Sequence, residues 1–192
     1  MGKRSDFARV ERDWYPTPME AMLPLLPHLP QRFDWFEPCA GDGAIVRHMK
    51  VFRPEARLIG ATDIHPMDDT IDKCDLLTET PPDLYKADMA ITNLPWDRKI
   101  LHELIVKVTT HTPLWTLLDS NWANTAQAVP YLEFCSKIVQ VGRLKWIPGT
   151  KDVGKDDAAF YLFDANHCGA TRFYGRMSRQ DKALAKQRFV VD

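Results

Sequence analysis

Apolar and polar positions along this chain switch between two periods. Runs of five or six residues with strand character recur at 33–37, 57–62, 87–92, 114–118 and 158–163. Segments with helical spacing fall between them. Ile100, Leu101, Leu104, Ile105 and Val108 predict an amphipathic helix over 98–110, and further helices are expected at 44–49 and near 125–135. A shorter strand is expected at 73–77, followed by a surface connection at 78–86 that carries Pro81 and Pro82. Segments 137–141 and 144–147 alternate as strand, and the polar stretch 149–157, with two glycines, reads as a mobile loop before 158–163. Such a strand–loop–strand unit favours an antiparallel hairpin at one sheet edge. At the other end, 1–13 is charged, and Thr17 and Pro18 read as a helix N-cap and first helical residue. The helix from about Met19 should be short or kinked, because Pro24, Pro27 and Pro30 interrupt it. The alternation predicts an α/β protein: a seven-stranded, mostly parallel sheet with helices on both faces.

Composition narrows this picture without changing it. A chain of 192 residues with 45% hydrophobic content can bury one core, so 1–192 reads as a single domain with a flexible lead at 1–12. The formal net charge of −1 gives no bulk signal for a nucleic-acid partner, so any basic footprint must be local. The tail over 165–192 is the one locally basic segment, with Arg172, Arg176, Arg179, Lys182, Lys186 and Arg188 against Asp181 and Asp192. Cys39, Cys74, Cys135 and Cys168 lie far apart and form no C-x-x-C pair, which fits free thiols better than disulfides or a metal site. No apolar run approaches 20 residues, and Lys3 and Arg4 argue against myristoylation at Gly2. A soluble intracellular protein is expected.

Candidate chemistry gathers at the strand ends, where an open parallel sheet binds its ligands. Glu37-Pro38-Cys39-Ala40-Gly41-Asp42-Gly43 is a strand-to-helix turn with glycines two apart and Val46 where a third glycine would serve a pyrophosphate. An acid before such a turn suits a ligand without phosphate, and S-adenosylmethionine fits, with Glu37 meeting its ammonium directly or through water. An ordinary strand-to-helix turn is the plainer reading. Asp63, with Ile64 beside it, is placed to accept ribose hydroxyls or else to make an Asx-turn. Asp75 and Leu76 can bond and pack on an adenine, or form a simple turn, and Tyr15, Thr17 and Pro18 can close over the methionine end.

The most pointed stretch is Asn93-Leu94-Pro95-Trp96, at the end of the fourth expected strand among seven. The Asn93 side-chain oxygen and the Leu94 carbonyl can each accept one N–H from an aromatic amino group, which frees its lone pair. Pro95 fixes the turn, and Trp96 offers a stacking face to an extruded base. Methyl transfer from a sulfonium then needs positioning rather than a metal or a covalent intermediate.

With these residues in this order, the chain resembles the class I S-adenosylmethionine-dependent methyltransferases over about 13–164. More narrowly it resembles DNA amino-methyltransferases, and most of all the small phage- and prophage-borne N6-adenine enzymes. The resemblance implies a Rossmann-like fold, S-adenosylmethionine as cofactor and no metal. It implies methionine-end contacts at Thr17 and the Glu37 to Gly43 turn, ribose contacts at Asp63, adenine contacts at Asp75 and Leu76, and a target base held by Asn93 to Trp96. It further implies a bacterial or phage-infected host cytoplasm and a role of the restriction–modification kind. Leu94 stands where that family usually has proline, and Asn-Leu-Pro-aromatic also resembles the adenine-N6 enzymes of ribosomal RNA. A cytosine-C5 enzyme would need its Pro-Cys after the fourth strand, whereas Pro38-Cys39 lies in the glycine turn. A cytosine-N4 enzyme would more often carry Ser at position 93. A protein glutamine methyltransferase would carry Asn-Pro-Pro-aromatic and an N-terminal recognition domain.

No separate target-recognition domain is apparent. Duplex DNA with a flipped adenine would have to be met by Asn121 and Trp122, by Lys151 and Lys155 in the 149–157 loop, and by Arg172, Arg176 and Arg179 in the tail. So small a footprint predicts a short recognition sequence, relaxed specificity or help from a second subunit in a homodimer.

Overall fold

The computed structural model describes residues 15–147 and 154–189. The strands are β1 (Asp34–Glu37), β2 (Arg57–Asp63), β3 (Asp72–Lys73), β4 (Met89–Thr92), β5 (Leu114–Asp119), β6 (Cys135–Arg143), β7 (Asp157–Phe163) and β8 (Arg172–Tyr174). The helices are α1 (Met19–Met22), α2 (Ala44–Phe52), α3 (Arg98–Thr109), α4 (Val129–Leu132) and α5 (Arg179–Phe189). All strands join one eight-stranded sheet in the order β3-β2-β1-β4-β5-β7-β6-β8. Only β7 runs against its neighbours, β5 and β6.

The strands alternate their side chains between two cores. Trp35, Ile91, Trp115, Leu117 and Phe160 point to the side covered by Met22 of α1 and Ile45, Met49 and Phe52 of α2. Phe36, Ala90, Leu114, Leu118, Ala159 and Tyr161 point to the side covered by Leu101, Leu104, Ile105 and Val108 of α3. This is the period-two geometry of strands buried on both faces, and it explains why β4 and β5 read as apolar runs. It also bears out the expectation of a mostly parallel sheet with helices on both faces.

Five details differ from expectation. The sheet has eight strands among the described residues, because β8 forms within the basic tail and pairs parallel to β6. The β6–β7 hairpin is therefore covered at its outer side. Strand β3 is two residues long, since Asp75 Oδ1 accepts the Leu77 N–H at 3.1 Å and turns the chain before 77. Strand β6 ends at Arg143, so 144–147 is not strand, and the helix expected near 125–135 is a short 3₁₀ turn followed by the single turn α4. Thr17 caps nothing: α1 starts after Pro18 with no side-chain cap.

No helix among the described residues is long and apolar enough to cross a membrane. The four cysteines are free.

Tyr161 links the core to the C-terminal end of β5. Its ring is buried and its hydroxyl donates to the Ser120 carbonyl at 3.1 Å, with the Asp119 carbonyl at 3.4 Å. Burial pushes its phenol well above the usual tyrosine range. Tyr161→Phe should lower stability in urea by about 0.5–1.5 kcal/mol, the net worth of one hydrogen bond, with an unchanged denaturant slope.

Candidate active site

The sheet brings the ends of β1, β2 and β4 side by side. The turn after β1 is built from backbone. Ala40 N donates to Thr62 O at 2.9 Å, Gly43 N to Ala40 O at 2.7 Å, and the Thr62 hydroxyl to Pro38 O at 3.3 Å. Gly41 and Gly43 have φ of 55° and 75°, left-handed values that a side chain resists, so glycine is required there. Gly43 is the N-cap of α2. Asp42 is engaged within the turn: its carboxylate accepts Ala44 N at 3.1 Å and Arg47 Nη2 at 2.7 Å, and Arg47 also bonds the Asp42 carbonyl.

Asp63 binds the turn to β2. Its Oδ2 accepts Gly41 N and its Oδ1 accepts His65 N, each at 2.8 Å. The Asx-turn is thus real, yet a carboxylate has about four acceptor positions, so two remain for hydroxyl donors. Ile64 beside it is exposed. Asp75 lies two residues past the end of β3 and is occupied in the turn that holds Leu77, Thr78 and Glu79. Leu76 is buried with Phe36 and Leu94.

Glu37 is the odd group. It is 1% exposed, at the end of β1, and its Oε2 has no hydrogen-bond partner among the described residues. Burial, followed by repulsion from Asp42, raises its pKa well above the carboxylate range, with a smaller push from Asp63 and a partial offset from the Val46 N–H. A buried acid with a free oxygen beside a glycine turn can receive a cation. Cys39 is its opposite: burial, with Asp63 and Glu37 nearby, keeps the thiol protonated, so it is a poor nucleophile.

At the end of β4, Asn93 sits in a chain of hydrogen bonds. Its Nδ2 donates to Thr17 Oγ1 at 3.2 Å, and its Oδ1 accepts Trp96 Nε1 at 3.3 Å. The same indole N–H also faces the Leu117 carbonyl at 3.2 Å. Thr17 is itself held, because His48 Nε2 of α2 donates to its carbonyl at 2.8 Å. Burial keeps His48 below the usual histidine range and hence neutral. Tyr15 and Pro18, on either side of Thr17, are half-buried. Leu94 is 1% exposed, and its side chain joins the second core. Its N–H lies 3.5 Å from Thr116 Oγ1. Pro95 is half-buried between it and Trp96.

Two members of this site were missed in the sequence. His48 carries no signal beyond being one histidine on a helix. Trp146 stands perpendicular to Trp96, with ring centroids 5.7 Å apart, where Gly154 N returns to Leu144 O at 2.8 Å. Reading 144–147 as strand hid it. Its signal is a large aromatic beside a glycine-bearing loop.

The candidate nucleic-acid contacts divide. Trp122 is a correction: it is 4% exposed, packs edge-on against Tyr161 and Phe163, and donates Nε1 to His102 at 3.2 Å. Asn121 beside it is exposed, its N–H held by Asp119. Lys155, Arg172, Arg176 and Arg179 are exposed, and Lys151 lies outside the described residues.

The Glu37 arrangement has a measurable consequence. An acid whose pKa is raised by folding binds more protons when folded, so stability falls as pH rises above the ordinary carboxylate range. Glu37→Gln removes that dependence. In urea unfolding between about pH 5 and 7, the variant should gain on the wild type by up to about 1.4 kcal/mol per pH unit, one proton's worth. A constant difference would show that Glu37 ionises normally.

No protein-family model matches the sequence, and no curated protein does. Solved structures do match. A Listeria monocytogenes protein assigned to the class I S-adenosylmethionine-dependent methyltransferases superposes with TM-score 0.58 at 11% identity, over 94% of this chain and 72% of that one. The M protein of the type I restriction enzyme EcoKI gives 0.53 at 11%, over 92% and 53%. A dimethyladenosine transferase from Plasmodium falciparum gives 0.51 at 14%, over 79% and 62%, so this chain spans less than two thirds of each of those last two proteins. Identities of 11–15% speak to architecture: the chain has the fold of the class I S-adenosylmethionine-dependent methyltransferases.

Proposed function

We propose that this chain transfers a methyl group from S-adenosylmethionine to the N6 amino group of adenine in DNA, acting on a base flipped from the helix. The observation that carries the reading is the Asn93 amide. With Nδ2 committed to Thr17, the carboxamide oxygen is fixed as the acceptor. Trp96 Nε1 occupies one of its two lone pairs, leaving the other for an amino N–H. The Leu94 carbonyl accepts no hydrogen bond from the described residues and supplies the second acceptor. Two acceptors on one exocyclic nitrogen direct both hydrogens away from its lone pair.

The residues present suit the cofactor. Glu37 has an unpartnered buried oxygen for an ammonium, and Asp63 retains acceptor capacity for ribose hydroxyls. The left-handed turn at Gly41 and Gly43 lets backbone approach closely. Asp75 and Leu76 are weaker adenine contacts, since one is engaged in a turn and the other is buried. When bound, the cofactor supplies a methyl carbon on a sulfonium. Asn93 and Leu94 hold the attacking nitrogen in line, and Trp96, with Trp146 at right angles, gives the base an aromatic corner. The nitrogen's surplus proton leaves to solvent after transfer.

RNA is the second reading, and Leu94 favours it. With proline replaced by leucine, the tetrapeptide resembles that of ribosomal-RNA adenine enzymes, and a dimethyladenosine transferase is among the structures of like fold.

Incubation with labelled cofactor and separate samples of duplex DNA, single-stranded DNA, ribosomal RNA and total protein should place label in DNA, as N6-methyladenine. Label in RNA or protein alone would sink the DNA reading. Asn93→Ala should lower kcat by about 10²-fold or more with cofactor binding near wild type. Thr17→Val should reduce kcat by freeing the Asn93 amide to rotate, and Thr17→Ser should restore it. Equal activity of the two Thr17 variants would remove that residue from the positioning chain.

A further inference from the structure

The charge of this chain is nearly balanced overall but strongly divided in space. Residues 63–88 carry eight carboxylates against two lysines, while residues 135–189 carry eleven Lys and Arg against five Asp. The strand order places β2 and β3 at one end of the sheet and β6 and β8 at the other. The acidic half therefore lies where a cationic ligand would sit against Glu37 and Asp63. The basic half lies beyond β5 on the other side of Asn93. A field divided in this way steers a polyanion to one side of the site.

The last two elements bring that basic charge to the reactive end. Strand β8 runs parallel to β6, and β6 runs the same way as β4 and β5. The chain leaving β8 at Tyr174 thus emerges on the edge where Asn93 ends β4. Arg176 lies over Gly142, so close that a Cβ there would stand 2.4 Å from its guanidinium. Its Nη1 is 3.9 Å from Asp157 Oδ1. Helix α5 starts next to it, with Ser178 Oγ accepting Asp181 N at 3.0 Å, and Lys182 Nζ reaches the Val141 carbonyl at 3.3 Å.

These elements touch the core through Tyr174, Met177 and Ala185 and leave their other described side chains at the surface. Helix α5 shows no apolar stripe, and its Leu184 is 56% exposed. Phe173 on β8 is 66% exposed, between Arg172 and Arg176. Exposed arginines on elements that add so little to the core match phosphate contact rather than packing.

We propose that β8 and α5 form a clamp for duplex DNA, gripping phosphates beside the target nucleotide. The proposal rests on the nucleic-acid reading of the site but not on methyl transfer, and it is tested by binding alone. Fluorescence anisotropy with a labelled 20-bp duplex, in a salt series without cofactor, would compare two triple variants of equal charge change. One is Arg172→Gln/Arg176→Gln/Arg179→Gln. The other, a control from the opposite half, is Lys50→Gln/Lys73→Gln/Lys86→Gln. The clamp variant should bind about tenfold or more weakly and lose about 2–3 from the slope of log K against log salt, whereas the control should keep both. Replacing the same three arginines by lysine should keep the wild-type slope, which separates lost charge from lost folding. A wild-type slope in the glutamine clamp variant, an equal loss in the control, or binding of an RNA hairpin but not the duplex would overturn the proposal. A chain that grips DNA through these arginines but methylates no DNA refutes the adenine reading and leaves the clamp standing.

Discussion

The pairing of β1 with β4 decides where this protein can act. The chain winds outward from β1 through β2 to β3, then returns on the other side of β1, matching Trp35 to Met89 and Phe36 to Ala90. Two loops that leave neighbouring strands in opposite directions cannot cover the gap between them. Glu37 and the glycine turn stand on one side of that gap and Asn93 on the other. Every other feature of the site is a way of furnishing this crevice.

The furnishing is unusually economical in side chains. Backbone amides and two left-handed glycines shape the β1 side, and Asp63 ties them to β2. On the β4 side, one carboxamide is held at both ends, by Thr17 and by Trp96. Because His48 of α2 holds the Thr17 carbonyl, the helix that follows the glycine turn also sets the strap over Asn93. The α2 side and the Asn93 side of the crevice are thereby linked through a single threonine.

The apolar runs of β4 and β5 and the glycine turn could be read from sequence because each has a local cause: burial on both faces, or a backbone angle that excludes a side chain. The turn from Asn93 to Trp96 was legible for the same reason, as polar and aromatic residues closing an apolar run. What escaped depended on distance in the chain. Thr17 looks like a helix cap until Asn93, 76 residues later, takes its hydroxyl. Trp122 looks like a surface aromatic after a strand until Tyr161 and Phe163 enclose it. Strand β8 has three residues and two of them exposed, so it leaves no periodic trace and exists only because β6 offers an unpaired edge.

Glu37 adds a consequence beyond ligand contact. In the folded chain, burial disfavours the charged form of that acid and raises its pKa, because charge cannot be hydrated there. A cation settling beside it makes the ionised form favourable again, so its capture expels the proton into solution. Occupancy of the crevice and the acidity of the surroundings are then thermodynamically linked, and the chain would hold a cationic donor more tightly in alkaline than in acidic conditions. A residue that looks like a static anchor would then exchange a proton with solution whenever a cation binds beside it.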